Sequence, residues 1–286
     1  MGESEASGTW RGTPSVPPWA LLALLGVVFA PALVALANVW ETVDYYSHGY
    51  LIPVVAAWAA WRDREALTEL PVAPDRRGLA FILAALAVYG VGLLAGLVEV
   101  QGVALVAAVA GAVLLLRGAQ WLRALRFPIA FLLFMVPVPD AWIGPVILQL
   151  RLFVTTVAAA ILQSVGLLVA REGNVLTLPG GEALFVADAC SGVTSLVTLA
   201  PLAVLLAYYS ERTLGRRLLL VSSVVPIALA GNLLRVIVTV VAAHFVGVGV
   251  ATESVLHDSA GLLTYVLGCL ALVGVGGLLR RLAPER

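Results

Sequence analysis

Apolar blocks at roughly 19–39, 50–61, 78–98, 102–116, 192–209, 218–246 and 258–279 constrain this chain more than any other feature. Most can cross a hydrocarbon core ~30 Å thick, which takes about 20 helical residues. Lipid offers no water to satisfy backbone amides, so such blocks become helices. Composition agrees: 61% of the 286 residues are apolar, 12% are charged, and mean hydropathy is +1.02. A soluble chain of this length needs more charge to keep its surface wet. The expected fold class is all-α, a polytopic integral membrane helical bundle. Its net charge of zero argues against nucleic acid as a partner and leaves the lipid bilayer.

The first block, Trp19 to Val39, is too long for a signal-peptide core and has only Arg11 ahead of it, so an uncleaved span is expected. The expected division is an N-terminal tail at 1–18, one transmembrane domain at 19–279 and a C-terminal tail at 280–286. With no soluble domain in this division, the chemistry belongs to the spans and their short loops. Two cysteines make no disulfide framework, and Cys269 lies inside an apolar block.

All 17 basic residues are arginine, and 13 of them fall in four patches: 62–77, 117–126, 212–217 and 280–286. Arginine excess marks the cytoplasmic side. The alternate loops carry Glu41, Asp44, Glu99, Glu172, Glu182, Asp188, Glu253 and Asp258 against Arg171 alone, so they face outward. Both termini are then cytoplasmic, in the inner membrane of the cell. Residues 127–170 must cross an odd number of times. One full span at about 152–170, after a partial segment at 127–139, is the simplest solution and gives about eight spans.

The outer loop has its own pattern. Asn174–Leu178 and Glu182–Val186 flank Pro179-Gly180-Gly181, which reads as a small hairpin on the outer face just before Cys190. Such a hairpin can grip an extended peptide by strand addition; an ordinary ordered loop is the plainer alternative.

Three polar residues need a reason. Cys190 sits where the outer loop turns into the span at 192–209, and free amides at a helix N-terminus stabilise a thiolate. Arg235 lies seventeen residues into the block that starts at 218, about 25 Å up at 1.5 Å per residue. A guanidinium at that depth is costly without an anion or water, and function is the default reading. His257 opens the last span. Three separate segments thus bring Cys190, Arg235 and His257 to the outer face. His244 falls about 180° around the helix from Arg235, and Cys269 lies roughly 18 Å below His257. No H-E-x-x-H, paired-aspartate or G-x-S-x-G signature occurs, so metallo-, aspartyl- and serine-type intramembrane proteolysis lack support. No metal or cofactor is expected.

Six segments in order resemble the exosortase/archaeosortase membrane proteins. They are Ser47–Pro53, Phe127–Asp140, Arg171–Asn174, Ala189–Gly192, Asn232–Val236 and His257–Gly261. The resemblance implies a membrane cysteine transpeptidase with Cys190, Arg235 and His257 as its catalytic set. It also implies membrane-anchored protein substrates bearing a C-terminal sorting signal, a short motif followed by a transmembrane helix and a basic tail, of which PEP-CTERM signals are the bacterial example. Supporting candidates are Asp188 and Asp258, either of which can orient the histidine, and Asn232, one turn from Arg235. His48, Ser191 and Asn174 complete them, at the outer end of the second span and in the shared segments. The chain stops soon after its last span, where some members carry a further soluble domain.

The chemistry is coherent on its own terms. A Cys190 thiolate attacks the scissile carbonyl to give a thioacyl intermediate. His257 exchanges protons with the leaving and entering groups, and Arg235 holds the oxyanion. The competing reading is an anion or proton-coupled transporter built on Arg235 and His257. It predicts inverted repeats, and none is evident.

Overall fold

Helices dominate the computed structural model, which describes residues 17–178, 181–185, 193–249 and 255–282; for Pro18, Phe185, residues 255–260 and Leu282 it describes the backbone alone. Helices α1 (Pro18–Val28) and α2 (Ala30–Thr42) are bent by 58° at Phe29. Pro31 explains the break, since it lacks an N–H and its ring collides with the preceding turn. A 3-10 helix, Asp44–Tyr50, leads into α3 (Leu51–Arg62), followed by α4 (Arg64–Thr68), α5 (Arg77–Ala95), α6 (Val98–Arg117), α7 (Ala119–Ala124) and α8 (Arg126–Phe131). After a 3-10 turn at Leu132–Met135 come α9 (Asp140–Ser164) and three strands, β1 (Ala170–Glu172), β2 (Val175–Thr177) and β3 (Ala183–Phe185). The last helices are α10 (Val193–Ser210), α11 (Leu214–Ser222), α12 (Val224–Val246) and α13 (Val255–Leu282).

Among the described residues six helical stretches are long and apolar enough to cross a membrane, or seven with the bent pair counted as one. The protein is therefore multi-pass. The expected block at 50–61 forms α3, whose 12 residues are short of the ~20 that a straight crossing takes, so the described helices do not reach the expected eight spans.

The chain divides into two compact units. One comprises the described residues of Met1–Leu36 and Val54–Val136, the other Ala37–Pro53 and those of Pro137–Arg286. In the first, α5 and α6 form an antiparallel pair. Small residues set its spacing, as membrane helices with no hydrophobic drive between them require. A Cβ on Gly78 would overlap the Leu115 backbone, and one on Gly111 would lie 2.9 Å from Ile82. Phe29 and Ala32 pack on Ala85, Tyr89, Ala104 and Ala108 to complete that core.

Residues 127–170 differ from the expected boundaries. The helix long enough to cross is Asp140–Ser164, not 152–170, and the shorter apolar piece is Arg126–Met135. Pro137 and Pro139 delay the helix to Asp140. At the other end Gly166 takes φ +90°, Leu167 N–H bonds to Leu162 O at 3.0 Å, and Gly166 N–H bonds to Gln163 O at 3.1 Å. That pair of bonds is a Schellman stop. Gln163 Nε2 also donates to Val169 O, which holds the released chain extended.

The freed residues become β1, so the expected hairpin is one half of a three-stranded antiparallel sheet ordered β1-β2-β3. Ala170 pairs with Thr177 and Glu172 with Val175, and Val175 pairs in turn with Phe185. β2 is therefore covered on both edges. Leu176, Leu178 and Leu184 are buried against Val154, Ala158 and Leu162 of α9 and Val236, Val240 and Ala243 of α12. The sheet thus sits over the C-terminal ends of α9 and α12.

Candidate active site

Glycines on α13 set the register of the second unit. A Cβ on Gly276 would lie 3.8 Å from Leu220 and 4.0 Å from Leu206, so α13, α11 and α10 meet in one layer. A Cβ on Gly268 would lie 3.0 Å from Leu199 and 3.8 Å from Ile227, a second layer eight residues along α13. The third layer brings Gly261 to Arg235: its Cβ would stand 3.3 Å from Nη2 and 3.4 Å from Cζ. Steps of seven or eight residues match two helical turns, about 11 Å per layer. Helices α10 and α13 run one way through these layers and α12 the other, so the layers climb toward the start of α10 and α13.

This packing explains how an arginine is held among apolar helices. Arg235 is half-buried, and the missing side chain at 261 leaves a flat surface for its guanidinium. Position 257 lies one turn above Gly261 on the same stripe of α13, which includes 264 and 268. On α12 one turn above Arg235 is Thr239, buried at 7% exposure. The backbone therefore brings the segment 257–261 and Arg235 into one layer from two separate helices. The side chains of His257 and Asp258 are not described, and Cys190, Asp188 and Ser191 lie outside the described residues.

The supporting candidates divide. Asn232 is 3% exposed, and its Nδ2 has no hydrogen-bond partner among the described residues. A buried donor in that condition costs about 1–3 kcal/mol, a penalty found where function needs the group. Asn174, by contrast, is a turn residue. Gly173 (φ +63°) and Asn174 form the two-residue loop between β1 and β2, and Arg171 Nη1 donates to Gly173 O at 2.8 Å. Glycine at the first position is what a hairpin turn of this hand needs.

His48 is half-buried in the 3-10 helix, which packs directly on α10. Gly49 is required there because a Cβ would overlap the Trp40 indole. Tyr46 Oη accepts from Val138 N–H at 2.7 Å, joining this segment to the Pro137–Asp140 stretch. Burial, and then the neighbouring Asp140 carboxylate, hold the Tyr45 phenol above its ordinary pKa of 10.0. The 3-10 helix that carries His48 is thus tied to the Pro137–Asp140 stretch and packs on α10.

Sequence reasoning misses Arg151. It lies midway along α9, half-buried, on the stripe that continues through Thr155, Ala158 and Leu162 toward the sheet and α12. The signal is available, an arginine flanked by Leu150 and Leu152, but a span begun at Leu152 leaves it in a loop. His244 is exposed in the last turn of α12, away from the layers. Cys269 is half-buried far along α13 and hydrogen-bonds to Tyr265.

No curated protein and no solved structure matches this chain. A family model, described as transmembrane exosortase, matches residues 40–274. That range takes in the segments around Ser47–Pro53, Pro137–Asp140, Ala189–Gly192, Asn232–Val236 and His257–Gly261, and the layers that carry Arg235 and Gly261. By that match, over about four-fifths of its length, the chain belongs to the transmembrane exosortase family.

Proposed function

We propose that this exosortase is a cysteine peptidase or transpeptidase of the cytoplasmic membrane, with both termini inside and its site at the outer face. It cleaves C-terminal sorting signals made of a short motif, a transmembrane helix and a basic tail. The observation that supports it most is the seating of Arg235 on Gly261, one turn from position 257. In the sequence Cys190 stands three residues before Val193, where α10 begins.

In the mechanism the Cys190 thiolate attacks the scissile carbonyl carbon and forms a C–S bond, and negative charge collects on the carbonyl oxygen. The Arg235 guanidinium stabilises that oxyanion. Collapse breaks the C–N bond as His257 donates a proton to the departing amine, leaving a thioester. His257 then takes a proton from the entering amine or water, which attacks the thioester and releases the thiolate. Asp258 or Asp188 orients His257, and Asn232 offers a further buried donor. In the sequence Cys190 follows the end of β3 by five residues, and the β3 edge is a surface for an extended substrate.

Co-expression with a tagged substrate carrying a matching signal tests this. Cys190→Ala is expected to leave the precursor uncleaved, whereas a transporter tolerates that change. Normal processing by the variant would remove the mechanism.

A further inference from the structure

The opposite end of the second unit holds a separate polar site. There α10 ends, α11 begins and the last turn of α13 closes against them. Between them lies a cavity of about 470 Å³, lined by Tyr209, Glu211, Arg212, Arg216, Arg217 and Arg280 together with Tyr208 and Ser210. This volume is within the range of small-molecule sites. Among the described residues four guanidiniums stand against one carboxylate, so this lining is strongly cationic.

Two of these residues explain the design. Arg217 is structural: Nε donates to Glu211 O at 2.7 Å, Nη2 donates to Tyr208 O at 3.2 Å, and the guanidinium lies over the Tyr208 ring. It closes the turn between α10 and α11. Glu211 is 2% exposed. Ser210 Oγ donates to its Oε1 at 3.3 Å, but Oε2 has no hydrogen-bond partner among the described residues. A buried carboxylate oxygen of this kind is costly unless something in the cavity donates to it. The cavity therefore asks for an anion and a donor cation together.

We propose that it binds the headgroup of a phospholipid carrying a primary ammonium, with the phosphodiester on Arg212, Arg216 and Arg280 and the ammonium beside Glu211, which lines the cavity. Arginine placement assigns this end to the cytoplasmic side, and Tyr208 and Tyr209 stand in the last turn of α10, the position that aromatic belts favour. Basic pockets between transmembrane helices on that side suit phospholipid headgroups. The site lies away from Arg235, and its occupancy does not depend on the peptidase reading.

Native mass spectrometry of the full-length protein, given phosphatidylethanolamine, phosphatidylglycerol and phosphatidylcholine in equal amounts, tests the proposal. Phosphatidylethanolamine is expected to be retained over both others. Losing two surface-facing arginines in R216Q/R280Q should weaken that retention about thirtyfold, while R216K/R280K keeps most of it. E211Q should erase the preference for phosphatidylethanolamine over phosphatidylglycerol and still retain both. Equal retention of all three lipids by the wild type overturns the proposal, as does unchanged retention by R216Q/R280Q. Displacement of the lipid by inorganic phosphate at matched concentration also overturns it, since that assigns the site to a free anion. Melting in lipid-free detergent reports folding, and if the double variant does not fold, the loss of selectivity in E211Q decides alone.

Discussion

Replacing Gly261 separates the activity of this protein from its stability. A methyl at 261 would stand 3.3 Å from Arg235 Nη2 and 3.4 Å from Cζ, tighter than most such contacts. The guanidinium must then give by a few tenths of an ångström, inside the ~0.5 Å tolerance of a catalytic group. Gly261→Ala is expected to cost less than about tenfold in processing rate. Gly261→Leu extends past the methyl and moves the guanidinium by more than 1 Å, a displacement that typically costs about a hundredfold. Folding should move the other way for alanine, which gains about 1 kcal/mol over glycine inside a helix. The assay is a time course of precursor against processed substrate in cells, with protein level and melting temperature followed in parallel. The expected pattern is a graded loss of processing at normal abundance. Wild-type processing by Gly261→Leu would refute the contact's role in catalysis, and a loss that merely follows protein abundance would do the same.

Arg235→Lys keeps the charge but loses the planar fork, and a drop of at least tenfold in processing is expected, with Arg235→Gln falling by about 10²–10³; equal effects on protein level would point to packing. Gly118→Ala should destabilise the fold by roughly 1–3 kcal/mol. Gly118 holds φ +93°, and its Cβ would run into Ala73 O, so a lowered melting temperature is the readout. Tyr45 contributes an alkaline effect. Its folded pKa is raised above 10.0, so the folded state keeps the proton that the unfolded state has lost. Stability is therefore full below that pH and declines as pH rises past it; Tyr45→Phe should flatten the alkaline part of the melting curve.

Much of this protein is legible in its residues alone. Hydropathy locates the helices because lipid leaves the backbone no other way to satisfy itself, and α5, α6, α10 and α13 start and stop within four residues of the expected blocks. Arginine placement supports a sidedness because charge is costly to translocate. The residue types at 190, 235 and 257 suggest a thiol chemistry.

Where a helix ends is harder to see. Val165–Ala170 is apolar enough to continue a span, yet Gly166 stops α9 because a left-handed residue lets Leu167 and Gly166 bond back to the last carbonyls. Three residues then join the sheet, and the start of the helix moves back to take in Arg151. Contacts between helices are not visible at all. Gly261 is one glycine among 27, and nothing in its neighbours marks it as the floor beneath Arg235. The buried Glu211 likewise reads as a loop carboxylate until three helix ends close around it. Sequence determines local preference and which residues lipid will accept. Which side chain meets which depends on the register between helices far apart in the chain, and only the tertiary structure decides that.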